Sequence, residues 1–257
     1  MSIAPTREHV LPDYMKASDL LKVAPMSMEV DGDKVMLDGI DLRDIARVYD
    51  EAHIRRQLAS YRDDFRTCYP QSDIVYAAKA FCCVAMDKIV ADEDCYIDVA
   101  SGGELAIAKA AGFPMEHVFA QGNNKSQREI EEYVDAGVAC FVVDTHEEIE
   151  RVSAYASAQG VTQKIIIRVC PGIEADTHAY IQTANEDSKF GFNIRNGAAE
   201  EALVYALTLP GIEVAGFHCH IGSQIFELTS YVEAIKTMFG FMNDMRQAHG
   251  FVAQIFD

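Results

Sequence analysis

Short apolar runs recur along this chain, beginning near residues 74, 95, 117, 139, 164, 213 and 251, with amphipathic stretches between them. The stretches Val84–Ala91, Gly103–Ala111, Gln127–Ala136, Thr145–Gln159 and Ala198–Leu207 carry apolar residues at helical spacing. Gly112, Gly137, Gly160 and Gly211 punctuate their ends, as helix C-termini prefer. A strand followed by a helix, repeated, builds a parallel sheet. The runs are continuous rather than alternating, as expected of strands buried on both faces. The expectation is an α/β fold: an incomplete (β/α)8 barrel with about six strands and the start of a seventh. An open doubly wound sheet is disfavoured, because its Gly-x-Gly-x-x-Gly phosphate loop is absent.

The first units repeat about every 22 residues, but about 49 separate the runs at 164 and 213. The extra piece, Pro171 to Asn196, is polar and carries Asp187-Ser188-Lys189-Phe190-Gly191-Phe192. A long insertion of this kind more often serves function than connection. Residues 1–40 read as an N-terminal extension. In it Asp31-Gly32-Asp33 turns a hairpin between Met28-Glu29-Val30 and Val35-Met36-Leu37. From Asp41 to Phe65 the pattern is helical, with one apolar stripe through Leu42, Ile45, Tyr49 and Ala52 and a second through Leu58, Tyr61 and Phe65. The two stripes differ in phase, which predicts an irregularity between Tyr49 and Ile54.

Several strand runs end in polar residues, at the position where barrel enzymes carry their active sites. Ile74–Ala80 ends at Lys79, which strand alternation places on one face with Val75 and Ala77. Cys95–Ser101 carries Asp98, Lys164–Val169 carries Arg168, and Gly216–Ser223 carries His218 and His220, two apart and so on one face. A lysine at an apolar barrel mouth is a candidate amine nucleophile for Schiff-base chemistry, with a sugar-like carbonyl or with pyridoxal phosphate. His218 and His220 offer a flat ring or a proton carrier. Gly222-Ser223 offers backbone N–H groups and a hydroxyl suited to a phosphate. No third ligand accompanies the histidines, so no metal is expected. Ser101 and Glu104 form a capping-box pattern, and Gln121–Ser126 reads as a tight turn before it reads as a site.

The formal net charge is −18, which argues against nucleic acid and anionic membranes as partners and leaves a small-molecule substrate. No apolar run approaches the roughly 20 residues that a membrane helix needs, and Met1–Asp19 is too polar for a signal peptide. The seven cysteines are odd in number and without a zinc-type Cys-x-x-Cys pair, as suits reduced thiols of a cytoplasmic protein.

Taken together, Tyr76-Ala77-Ala78-Lys79-Ala80, Asp98–Leu105, Gly122-Asn123-Asn124-Lys125-Ser126, Pro171–His178, Ser188-Lys189-Phe190-Gly191 and His218–Gln224 resemble the diaminopimelate decarboxylase family. The resemblance runs from about residue 28 to Asp257. It implies an alanine racemase-like barrel, pyridoxal 5'-phosphate as cofactor, and decarboxylation of meso-diaminopimelate to L-lysine. It also implies a homodimer in the complete family member. By resemblance, Lys79 would bind the cofactor covalently, His220 would stack on its ring, Ser223 would touch its phosphate, and Asp98 and Arg168 would lie around it. Phe81 and Cys170 stand where many members have asparagine, and Arg47-Val48-Tyr49-Asp50 runs on without the family's Tyr-Gly-Thr-Pro segment. Residues 41–257 would then be a partial cofactor-binding barrel. The family's glycine triplet, Glu-Pro-Gly-Arg segment and C-terminal β-domain are not in this sequence, so little turnover is expected of these 257 residues alone. The alternatives are a decarboxylase of another basic amino acid or polyamine precursor, and a non-catalytic barrel module.

Overall fold

The computed structural model describes residues 28–31, 34–37, 40–41, 49–172, 190–223, 225 and 228–257. These fall into two compact units, one holding the described residues up to Val75 together with Lys88–Cys95, the other holding Tyr76–Asp87 and Tyr96–Asp257.

In the first unit, β1 (Met28–Asp31) and β2 (Lys34–Leu37) pair antiparallel, with Met28 opposite Leu37 and Asp31 opposite Lys34. This is the expected hairpin; its turn residues 32–33 lie outside the described residues. A third strand, β3 (Ile40–Asp41), pairs with β2, so Asp41 is extended and does not begin a helix. Residues 42–48, which carry most of the first predicted stripe, lie outside the described residues. Helix α1 (Glu51–Cys68) starts afresh at Asp50, whose carboxylate accepts from the His53 N–H at 3.0 Å. The second stripe is only partly buried: Leu58 is inside, whereas Tyr61 is 60% and Phe65 56% exposed. Arginines hold the helix instead. Arg55 reaches Asp92 at 3.0 Å and Glu93 at 3.1 Å, Arg62 donates to the Glu93 carbonyl, and Arg66 bonds Asp73 at 2.8 Å.

The second unit carries the parallel sheet. Its strands are β4 (Val75–Ala77), β5 (Tyr96–Val99), β6 (Val118–Ala120), β7 (Cys140–Val143), β8 (Gln163–Cys170), β10 (Ile212–His218) and β11 (Ile255–Phe256). They lie in the order β11-β10-β8-β7-β6-β5-β4, and a short β9 (Phe192–Asn193) pairs parallel with the end of β8. Helices α2 (Val84–Asp92), α3 (Gly102–Ala111), α4 (Gln127–Ala136), α5 (His146–Gln159), α6 (Ala198–Ala206) and α7 (Leu228–His249) fill the connections. Seven parallel strands in chain order with helices between them form an incomplete (β/α)8-type barrel sheet, as the repeat predicted.

Local chemistry sets the helix boundaries. Ser101, Ser126 and Thr145 each accept from the third helical N–H, and Ser126 with Glu129 completes a reciprocal capping box. At Ser101 the expected box is displaced: Glu104 reaches back to the Ala100 N–H at 2.6 Å, one residue too early. Helices α3, α4 and α5 end on Gly112, Gly137 and Gly160, all left-handed. Gly211 instead precedes β10, where a Cβ would collide with Ser157.

The sheet is apolar on both faces. Phe119, Cys140, Val142, Ile166 and Ala215 form one buried cluster. The alternate residues face helices: Phe141 packs edge-on to Tyr133 of α4, and Phe217 to Phe241 of α7 and to Phe251. Helix α7, 22 residues long, is the one α-helix among the described residues that periodicity did not mark. Ala234, Met238, Phe241 and Met245 are buried, but Leu228, Tyr231, Val232, Ile235 and Phe239 are exposed, so no single apolar stripe stands out.

Candidate active site

The sheet brings its polar residues to the C-terminal ends of the strands. Asp98 is the third residue of β5, Arg168 lies two residues before the end of β8, and His218 ends β10. Lys79 is placed differently from the expectation. β4 stops at Ala77, and Ala78–Ala80 form a turn of 3-10 helix, so strand alternation does not set the direction of Lys79. Its side chain is exposed just beyond the strand end.

Lys79 lies within electrostatic reach of Asp98, His218 and His220. Burial, with Asp257 nearby, pushes the Asp98 carboxyl up to about 7, against the pull of Lys79 and of a hydrogen bond from the Ala78 N–H. His220, half-buried two residues past β10, is lowered to about 4 by burial and by the positive charges of Lys79 and Arg168. Its ring is therefore neutral at physiological pH. His218 is buried, is held well below the ordinary histidine range, and has an Nδ1 without a partner. Ser223 is exposed three residues past His220, behind Gly222 at φ +135°. Lys79, Asp98, Arg168 and His220 thus share one electrostatic neighbourhood; among the described residues no hydrogen bond or ion pair ties Ser223 to them.

Arg168 runs under Phe190, its guanidinium carbon 5.1 Å from the ring centroid. Gly191, at φ +75°, makes this approach possible: a Cβ there would lie 2.8 Å from the Arg168 carbonyl oxygen. Neighbouring Ser188-Lys189 and Pro171–His178 were part of the sequence resemblance, but residues 173–189 lie outside the described residues.

Sequence reasoning missed a buried charged cluster beside these residues. Lys125 is only 3% exposed and donates to the carbonyls of Gly122 and Val142, both at 2.7 Å, and to Glu148 at 2.6 Å. The other Glu148 oxygen accepts from the Asp144 N–H at 3.0 Å. Asp144, just past β7, is itself buried, with Oδ1 unpartnered. Only the lysine inside an otherwise polar turn hinted at this, since its partners lie 17 and 23 residues further on.

A separate cleft of about 740 Å³ opens at the starts of α3 and α4, lined by Ser101, Lys109, Ser126, Arg128 and Glu132 among others. It contains none of the five candidate site residues. Among the described residues, no group of three or more His, Cys, Asp or Glu side chains is arranged to hold a metal ion, and no helix is long and apolar enough to cross a membrane.

A parallel barrel-type sheet with an exposed amine, a neutral imidazole and a half-buried carboxyl at its mouth defines a class: an α/β enzyme site suited to amine–carbonyl chemistry. The particular family follows from comparison. Residues 51–257 match the pyridoxal binding domain of pyridoxal-dependent decarboxylases. Diaminopimelate decarboxylase of Halalkalibacterium halodurans is 41% identical over 222 residues, 84% of this chain and 51% of that protein. The Bacillus subtilis enzyme is 40% identical over 208 residues, 81% of this chain and 47% of that one. The crystal structure of M. jannaschii diaminopimelate decarboxylase in complex with L-lysine superposes with a TM-score of 0.74 at 28% identity, over 88% of this chain and 55% of that one. The chain belongs to the pyridoxal-dependent decarboxylase family, a family of carboxy-lyases, and spans about half the length of the curated relatives it matches.

Proposed function

We propose that this chain is the cofactor-binding portion of a diaminopimelate decarboxylase, which converts meso-diaminopimelate to L-lysine and carbon dioxide with pyridoxal 5'-phosphate. The observation that carries the reading is the shared neighbourhood of Lys79, Asp98, Arg168 and His220 at the strand ends, in a chain about 40% identical to enzymes of that name.

The residues suit the cofactor. Lys79 offers an exposed primary amine to an aldehyde. His220 offers a neutral ring for stacking on a pyridine. The backbone beyond Gly222 and the exposed Ser223 hydroxyl suit a phosphate. When bound, pyridoxal phosphate would supply the sink for the electron pair left on the α-carbon as the carboxylate is lost as carbon dioxide. Asp98, raised to about 7, can hold or release a proton beside the Lys79 amine near neutral pH. Burial is the first cause of the lowering of both the Arg168 and the His220 pKa, while Lys79 and Ser223 stay open to solvent. All seven cysteines are free thiols, which fits a cytoplasmic protein. A homodimer is the assembly that the family resemblance suggests.

The test is borohydride reduction of the purified chain in the presence of pyridoxal phosphate, followed by peptide mass mapping. The expected result is a reduced pyridoxyl adduct on Lys79 that is absent from Lys79→Ala. An unmodified Lys79, or an adduct spread over surface lysines, would overturn the reading.

A further inference from the structure

A row of three ionisable side chains crosses the strand ends. β7 and β8 run parallel with Val143 beside Ile167, so the next residues, Asp144 and Arg168, are neighbours across that strand pair. β8 and β10 pair with Arg168 beside His218. Val143 and Ile167 are fully buried among the outward-facing residues, which turns Asp144 and Arg168 to the other face, the face of Val142 and Ile166. Acid, guanidinium and imidazole therefore stand in sequence on three adjacent strands.

Two members of this row are buried and incomplete. Asp144 is 8% exposed with Oδ1 unpartnered, and His218 is 6% exposed with Nδ1 unpartnered. Buried polar atoms are seldom left without partners. The remainder of the cluster is saturated: Glu148 spends one oxygen on Lys125 and the other on the Asp144 N–H. It thereby anchors the Asp144 backbone and also meets the Asp144 carboxyl, whose Oδ1 stays unpartnered within electrostatic reach of Arg168. Burial raises Asp144 to about 6, aided by Glu148 and opposed by the charges of Lys125 and Arg168. Burial lowers Arg168, and Asp144 acts against that.

We propose that Asp144, anchored through Glu148 and Lys125, is a positioning residue that holds the Arg168 guanidinium under Phe190 and beside His218 at the cofactor end of the sheet. The inference rests on the cofactor reading above and adds a residue outside the motifs that suggested it.

The test is a double-mutant cycle with Asp144→Asn and Arg168→Gln in the 257-residue chain. Pyridoxal phosphate affinity is read by absorbance titration, and the ring resonances of His218 are read by NMR in the chain alone. Asp144→Asn is expected to weaken cofactor binding about tenfold and to move the His218 resonances. Both effects should vanish in the Arg168→Gln background, and Asp144→Glu should recover part of the affinity. If Asp144→Asn weakens binding equally in both backgrounds, or lowers only the urea midpoint, the positioning role is overturned while the cofactor reading stands. If the unaltered chain binds no cofactor but the His218 shift still requires Arg168, the cofactor reading falls and the row stands. Should Asp144→Asn fail to fold, Asp144→Ser takes its place in the same cycle.

Discussion

Two sets of charges hold this molecule, and they work under opposite conditions. In the first unit, Arg55, Arg62 and Arg66 meet Asp92, Glu93 and Asp94 in a multiply shared, largely solvated web. In the second, a single Lys125–Glu148 pair sits with both side chains 2% exposed. Water screens the web, so each bond there is replaceable. Water cannot reach the buried pair, so removing either partner leaves the other buried without a replacement. Counting ion pairs would rank the web higher; the cost of breaking one ranks the buried pair far above it.

The largest effect is therefore expected at Lys125. Lys125→Met leaves Glu148 buried and uncompensated and removes the donor to two carbonyls, and should cost about 3–5 kcal/mol in urea denaturation. Adding Glu148→Leu should restore much of this, though not all, because the Asp144 N–H then loses its acceptor. A double variant no more stable than the single would show that the lysine acts through the carbonyls of Gly122 and Val142 rather than through the pair.

A smaller effect belongs to Asp98. Its carboxyl is raised in the fold to about 7, against an ordinary value of 3.8. A raised acid contributes stability that is complete below its unfolded pKa and is lost as pH rises through its folded pKa. Stability of the unaltered chain against thermal unfolding should therefore fall between about pH 4 and pH 7, and Asp98→Asn should flatten that slope by on the order of 1 kcal/mol. An unchanged slope would mean that Asp98 is better solvated than its position implies. The smallest effect is expected in the web: Arg55→Met should leave the urea midpoint nearly unchanged in high salt and lower it only slightly in low salt. A loss comparable with that at Lys125 would collapse the comparison.

How far these features could be read beforehand depended on how local their causes were. Strand and helix ends were readable because Ser126, Thr145, Gly137 and Gly160 act within a turn of themselves. The strand-end placement of Asp98, Arg168 and His218 was readable because strand ends are short and polar residues there stand out. The 3-10 turn at Lys79 was not readable, since Ala78–Ala80 is too short a run for alanine's helix preference to outweigh the strand pattern before it. Lys125 was quoted within a turn motif and its burial went unseen, because Val142 and Glu148 close over it from the next strand and helix. Helix α7 escaped because its apolar residues go all the way round.

The short strand β9 has one more consequence. Val169 pairs with Phe192, the Ile194 N–H donates to the Cys170 carbonyl at 3.2 Å, and Arg195 donates to the Gly172 carbonyl, also at 3.2 Å. The excursion after β8 therefore leaves and returns at nearly one point, tied like a loop of string at its neck. A change of length between residues 172 and 190 leaves these flanking bonds in place, so a related chain can lengthen there without disturbing Arg168.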